Sequence, residues 1–373
     1  MAGARPGRGR TFALRGLLLL GGLAVSWVGA EVLVRIAGIE PGIHVIYREN
    51  FRLSENPRLQ YDLQPLSPDG RSRINAAGMR DDETTREKPG GVYRIAVVGD
   101  SVAYGLTVDQ QHAFPQQLEL LLNANPPPGR RYEVLNLGVS GYNVGQIIER
   151  LRVLGIPHSP DLIIYAYSLN DPQDFSLELQ GLSAMHREAR AQLRPSRSLL
   201  RWLSHSKVFL LVWRSFQQPW TRPVRPARQS PDYVAVVSGR HAEYFGELHR
   251  GESWQRIEDG LGELAALTRS QSAPTHALVA VLPIHLVGNA RYPLSGLHEK
   301  IVNAARERGL EALDLAPALM AGGATTSAAH FNDPFHPSAL GHRLAAQGLL
   351  EWVREFESSS ADDRRPVSGL DSP

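Results

Sequence analysis

Apolar runs of strand length alternate along this chain with patterns of helical period, and that alternation restricts the fold more than any other feature. The runs are VYRIAVVG (92–99), YEVLNLG (132–138), DLIIYAY (161–167), THALVAVLPI (275–284) and a weaker LEALDLA (310–316). Helical patterns lie at 114–125, 143–155, 254–270, 297–309 and 338–357; the last sets Leu340, Leu344, Leu349, Leu350 and Val353 on one face. Strands that are apolar throughout and joined by helices belong to a parallel sheet covered on both faces. The fold class is therefore α/β, and in such sheets functional groups gather beyond the carboxyl ends of the strands.

Four polar clusters stand at or near that rim. The first run breaks at Gly99 into Asp100 and Ser101, with Gly105 following; the second ends at Gly138 in NLGVSGYN; the third is followed by Asn170 and Asp171 in YSLNDP; and FNDPFHPSALG, ahead of the last helix, carries Asp333 and His336. A serine hydroxyl becomes a nucleophile when a histidine takes its proton and a carboxylate fixes the histidine tautomer. His336 suits the base and Asp333 its orienter, since Pro334 and Pro337 stiffen the short loop that carries both. A tetrahedral intermediate also needs donors for its oxyanion. Gly138 and Ser101 offer backbone N–H groups and Asn170 a side-chain amide. Asp100 is given only a local hydrogen bond that holds the turn.

These blocks, GDSVAYG, GVSG, LND and DPFH in that order, resemble the SGNH/GDSL hydrolase superfamily over roughly residues 92 to 357. The resemblance implies a flavodoxin-like three-layer α/β/α sandwich around a parallel five-stranded sheet. It also implies esterase, lipase, acylhydrolase or carbohydrate acetylesterase activity with no cofactor or metal, carried by Ser101, Gly138, Asn170, His336 and Asp333. RINAAGMRDDE ahead of the first strand is similar to membrane-anchored bacterial members. One departure is visible: the block around Asn170 usually reads Gly-x-Asn-Asp, and here Ser168 stands in place of the glycine, where it is expected to crowd the site mildly.

Two other assignments fail. A dinucleotide fold wants three closely spaced glycines at the first strand-to-helix turn, and GDSVAYG has only Gly99 and Gly105. The Gly-x-Ser-x-Gly elbow of the α/β-hydrolases is absent around Ser101. The chain has no cysteine, which removes disulfides, cysteine-ligated metals and thiol nucleophiles. His112, His285, His330 and His342 have no metal-site spacing and are read as structural or surface groups. A net charge of +2 argues against a general nucleic-acid binder.

The first 40 residues are of another kind. Arg5, Arg8, Arg10 and Arg15, with no acid among them, precede the apolar run from Gly16 to Ala30, and Val32, Leu33, Val34, Ile36 and Ile39 prolong it. This is a membrane-targeting segment, read as an uncleaved signal anchor with the arginines in the cytoplasm and the bulk of the chain exported. Cleavage after Ala30, which would release a secreted protein, stays open. Residues 41–91 read as a stalk with short strands, 92–357 as the hydrolase domain with an insertion at about 172–232, and 358–373 as a disordered tail. From Leu182 to Ser230 there are ten Lys or Arg against one acid, Glu188. The apolar stretch around Leu199–Phe216 is read as a lid helix packed on the core, or as one resting on a membrane surface or an anionic polymer.

The combined expectation is a membrane-anchored, extracytoplasmic serine esterase that takes an O-acyl, favourably O-acetyl, group from a cell-envelope carbohydrate or lipid. An O-acetyltransferase using the same acyl-enzyme, and an inactive polymer-binding scaffold, remain open beside it.

Overall fold

The computed structural model describes residues 8–37, 50–67, 73–174, 176, 178–179, 203, 206–209, 211–212, 230–286, 292–321 and 328–362. The chain forms two compact units, one of Met1–Ile43 with Pro195–Arg222, the other of His44–Arg194 with Pro223–Pro373.

In the larger unit the strands are β1 (Phe51–Leu53), β2 (Tyr61–Leu63), β3 (Val92–Gly99), β4 (Arg131–Asn136), β5 (Leu162–Tyr167), β6 (His276–Val281) and β7 (Glu311–Asp314). The last five form one parallel sheet in the order β4-β3-β5-β6-β7. Each agrees with a run in the sequence to within about two residues at one or both ends, because continuous apolar character is what a strand buried on both faces requires. Alternate residues of β3 divide between two cores. Ala96 and Val98 face a cluster with Ile257, Leu261, Leu264 and Ile301, whereas Ile95 and Val97 face Phe114, Leu118, Ala346, Leu349 and Val353. Helices Gly251–Arg269 and Ser295–Glu307 thus cover one face, and Phe114–Ala124 with Ala339–Asp362 covers the other. This is a three-layer α/β/α sandwich with strand β3 next to the centre, between β4 and β5.

Within the segment read as a stalk, the described residues 50–67 and 73–91 pack on the sheet domain. Strands β1 and β2 pair as an antiparallel hairpin, and Leu59, Tyr61, Leu63, Ile74 and Met79 are buried in the same core as Ala96 and Val98. Burial of each such side chain stabilises by roughly 1.5–3 kcal/mol, so this stretch is part of the hydrolase body. Arg150 ties it on: its guanidinium donates to Leu137 O at 2.8 Å and Gly78 O at 2.6 Å and pairs with Asp62. The polar turns of residues 41–91 hid these few core residues. The last helix also runs to Asp362, five residues into the expected tail; 363–373 lie outside the described residues, as do most of the basic insertion and its proline-rich return at 217–229.

The smaller unit carries α1 (Arg8–Ile36), whose stretch Arg15–Ile36 is long and apolar enough to cross a membrane, with mean hydropathy 2.0 and none of it buried.

Candidate active site

Strand β3 ends against the short helix α2 (Ser101–Tyr104), and Asp100 caps that helix by accepting the N–H of Val102 at 2.9 Å. The cap fixes the turn and places Ser101 at the first helical position, 8% exposed. Gly105 closes the helix in the left-handed conformation at φ 80°, and a Cβ there would meet Ala113 Cβ at 2.5 Å. Its role is therefore turn and packing.

On the far side of the site, Phe331 and Pro337 bridge in antiparallel fashion, with Asn332 N donating to His336 O at 2.9 Å and Ser338 N to His330 O at 2.7 Å. Within this loop Asp333 Oδ1 accepts the backbone N–H groups of Phe335 and His336, each at 2.9 Å. The same carboxylate lies 2.8 Å from His336 Nδ1, and His336 Nε2 lies 3.0 Å from Ser101 Oγ. A carboxylate only accepts, so Nδ1 is the donor, and in the neutral imidazole Nε2 is left to accept from the serine hydroxyl. Ser101, His336 and Asp333 are thus brought into one hydrogen-bonded relay from positions 235 and 3 residues apart.

Thr107 locks the two halves together. Its hydroxyl donates to Pro337 O at 3.0 Å and accepts from Asn332 Nδ2 at 3.0 Å, which joins the loop after α2 to the loop of His336. Arg80 holds the same α2 loop from beneath: its buried guanidinium donates to the carbonyls of Tyr104 at 2.9 Å, Gly105 at 3.1 Å and Val108 at 2.9 Å, and lies 4.8 Å from the Tyr104 ring centroid. Sequence reasoning gave neither residue a role. Arg80 sits in the block similar to anchored family members, but no periodicity marks an arginine as buried.

The electrostatics follow from burial and pairing. Burial pulls His336 down, and the Asp333 carboxylate, through its charge and its hydrogen bond, outweighs that and raises the imidazole above 6.5, with Asp100 and Asp232 adding to the effect. Burial pushes Asp333 up, but the His336 charge and three donated hydrogen bonds bring it below 3.8. Asp100 is raised by burial against the hydrogen bonds of Val102 N, Ser168 Oγ and the Asn170 side chain. Asp171 is raised well above the usual carboxylate range, by burial and by the Asp100 charge.

The structure revises two readings. Ser168 does not crowd the site: buried, it donates its hydroxyl to Asp100 Oδ1 at 2.9 Å and its N–H to Asp171 Oδ2 at 3.2 Å, so the departing residue is a partner of the capping carboxylate. The Gly138 N–H, expected to face an oxyanion, donates here to Asn136 Oδ1 at 3.0 Å. The residue is glycine for a steric reason, since a Cβ there would lie 2.3 Å from Tyr104 N. Asn170 sits in the turn after β5 with its side chain bonded to Asp100. The loop of Gly138 is held beside β3 by Val139 N donating to Gly99 O at 3.1 Å, and Gly141, at its tip, adopts φ 77°.

A family model, the GDSL-like Lipase/Acylhydrolase family, matches residues 97–344. No curated protein matches the chain by sequence. Among solved structures it is similar to a two-domain esterase active on acetylated mannans, co-crystallised with mannopentaose, at 13% identity and a TM-score of 0.42. That alignment covers 76% of this chain and 54% of the other, so the chain spans about half that protein's length. A carbohydrate acetylesterase family member from Sinorhizobium meliloti aligns at 13% identity and TM-score 0.38, over 71% of this chain and 99% of its own. A catalytic mutant of an acetylxylan esterase from Geobacillus stearothermophilus aligns at 15% identity and TM-score 0.37, over 71% and 95%.

Proposed function

Because the chain belongs to the GDSL-like lipase/acylhydrolase family, a family of carboxylic ester hydrolases, we propose that it hydrolyses esters through an acyl-enzyme on Ser101. The observation that carries this reading is the relay Ser101 Oγ–His336 Nε2–Nδ1–Asp333, with contacts of 3.0 and 2.8 Å. The serine Oγ attacks the ester carbonyl as its proton passes to Nε2, and the resulting imidazolium is held by Asp333. His336 then protonates the departing alkoxide, which leaves as the alcohol. Water enters, gives a proton to Nε2, attacks the acyl carbonyl, and the carboxylic acid departs as Ser101 recovers its proton.

Ser101 N–H, at the first position of α2, and the Asn170 amide support an oxyanion hole. Since the Gly138 N–H is committed to Asn136, Gly141 is the glycine of that loop we assign as the third donor. Asp100 takes a positioning role, capping α2 and bonding Asn170.

Arg5, Arg8 and Arg10 ahead of a 22-residue apolar stretch, with Arg15 at its start, support an anchor with the hydrolase unit outside the cytoplasm. That location favours O-acyl groups, acetyl foremost, on a cell-envelope carbohydrate or lipid. The test is release of acetate or longer acids from purified envelope glycans and lipids by the full chain in detergent. Release is expected with the native protein and absent with Ser101→Ala; equal release by both would end the assignment.

The pH profile gives an independent check. A base must be neutral to accept a proton, so kcat/KM rises as pH passes upward through the His336 pKa, expected above 6.5 because Asp333 holds the proton on. The linked stability runs the other way. The pair's contribution through His336 is full below 6.5 and is lost as pH rises through the raised native value, while that through Asp333 is present above 3.8 and lost as pH falls through its lowered value. In Asp333→Asn burial acts on the imidazole without that carboxylate, and the inflection moves to lower pH. An inflection that does not move would detach it from this pair.

A further inference from the structure

The anchor helix carries one acid, Glu31, sixteen residues beyond Arg15 and therefore about 24 Å along the helix. In a hydrocarbon core about 30 Å thick, that places a carboxylate near the outer boundary, where it is costly unless partnered. Its partners come from the basic insertion. Glu31 Oε2 accepts Ser206 Oγ at 2.8 Å and Val208 N at 3.0 Å, and Oε1 accepts Lys207 N at 3.0 Å; Arg35 Nε adds 2.8 Å from one turn on. Ser206 Oγ also accepts Phe209 N at 3.1 Å. The first N–H groups of a helix have no partners inside it, and here a carboxylate on another helix supplies them.

The residues after that capped turn suit an interface. Phe209, Leu211 and Val212 are apolar, and Val212 is 41% exposed. From Pro195 to Arg222 the sequence holds five bases, Arg197, Arg201, Lys207, Arg214 and Arg222, no acid, and three tryptophans. This same stretch clusters with Met1–Ile43. Bases and tryptophans flanking an apolar stretch match the anionic headgroup zone of a bilayer.

We propose that the capped turn Ser206–Phe209, with Leu211 and Val212 after it, is a second membrane contact, lying at the outer leaflet among anionic lipid headgroups and pinned to the anchor by Glu31. It rests on the reading of α1 as an anchor.

Because the chain has no cysteine, a single thiol can be placed cleanly. The full chain carrying Val212→Cys, labelled with bimane, is reconstituted in phosphatidylcholine vesicles containing phosphatidylglycerol. A lipid spin-labelled near its headgroup is expected to quench the probe, and aqueous iodide to quench it several-fold less than the same probe at the exposed Glu55→Cys. Adding Glu31→Ala should bring the Val212 probe close to the Glu55 values, while labelling of Ser101 by a fluorophosphonate is retained. A chain that fails to float with the vesicles overturns the anchor and this proposal together. A chain that floats with the Val212 probe as iodide-accessible as the Glu55 probe, or with quenching unchanged by Glu31→Ala, overturns this proposal alone.

Discussion

Ser101→Ala and His336→Ala are each expected to lower kcat toward an activated ester such as p-nitrophenyl acetate by about 10,000-fold or more, and the double variant to fall no further. The non-additivity is the informative part. Ser101 Oγ and His336 Nε2 are 3.0 Å apart and share one proton, so removing either leaves the other without a chemical partner. Fluorophosphonate labelling should disappear in Ser101→Ala and fall steeply in His336→Ala. Neither change touches the cores on the two faces of the sheet, and Ser101→Ala, which leaves the His336–Asp333 pair in place, should melt close to the native protein. Labelling that persists in Ser101→Ala moves the nucleophile elsewhere.

Arg80→Ala is expected to give the largest loss of stability of any single change near the site, about 3 kcal/mol or more. Three buried carbonyls, those of Tyr104, Gly105 and Val108, lose a charged donor at once, and the emptied volume has no water-facing wall through which to relax. Activity should suffer beyond the loss of folded protein. The released loop begins four residues after Ser101, and a displacement of the nucleophile by about 1 Å is worth on the order of 100-fold in rate. The measurement is a denaturant melt alongside kcat and KM on the folded fraction. Arg80→Lys separates the two effects, since one ammonium keeps the charge but cannot span three carbonyls. A melt within about 1 kcal/mol of native for Arg80→Ala would show that the loop holds its shape without the guanidinium.

Much of the fold and the site was legible in the chain alone. The five strands and the helices between them were readable because a sheet buried on both faces needs unbroken apolar runs, and helices packed on it need an apolar stripe. The chemistry-bearing residues were readable because their types are rare together at strand ends. Other features were not. Leu59, Tyr61, Leu63, Ile74 and Met79 are too few and too scattered among turns to show a period, so the stretch that braces the site looked like a stalk. Gly138 and Gly141 are indistinguishable as letters; only the Asn136 side chain, bonded to the first, tells them apart. Ser168 looked like an obstruction because its partner, Asp100, lies 68 residues away.

The sequence by itself determined the layer architecture, the strand set, the apolar N-terminal helix and the candidate trio of Ser101, Asp333 and His336, because each rests on local period or on residue type. The tertiary structure decided where backbone N–H groups donate, which polar residues are buried partners, and how the basic insertion is divided between the two units. Those depend on pairs of groups brought within about 3 Å across long stretches of chain, and such proximity leaves no local pattern to read.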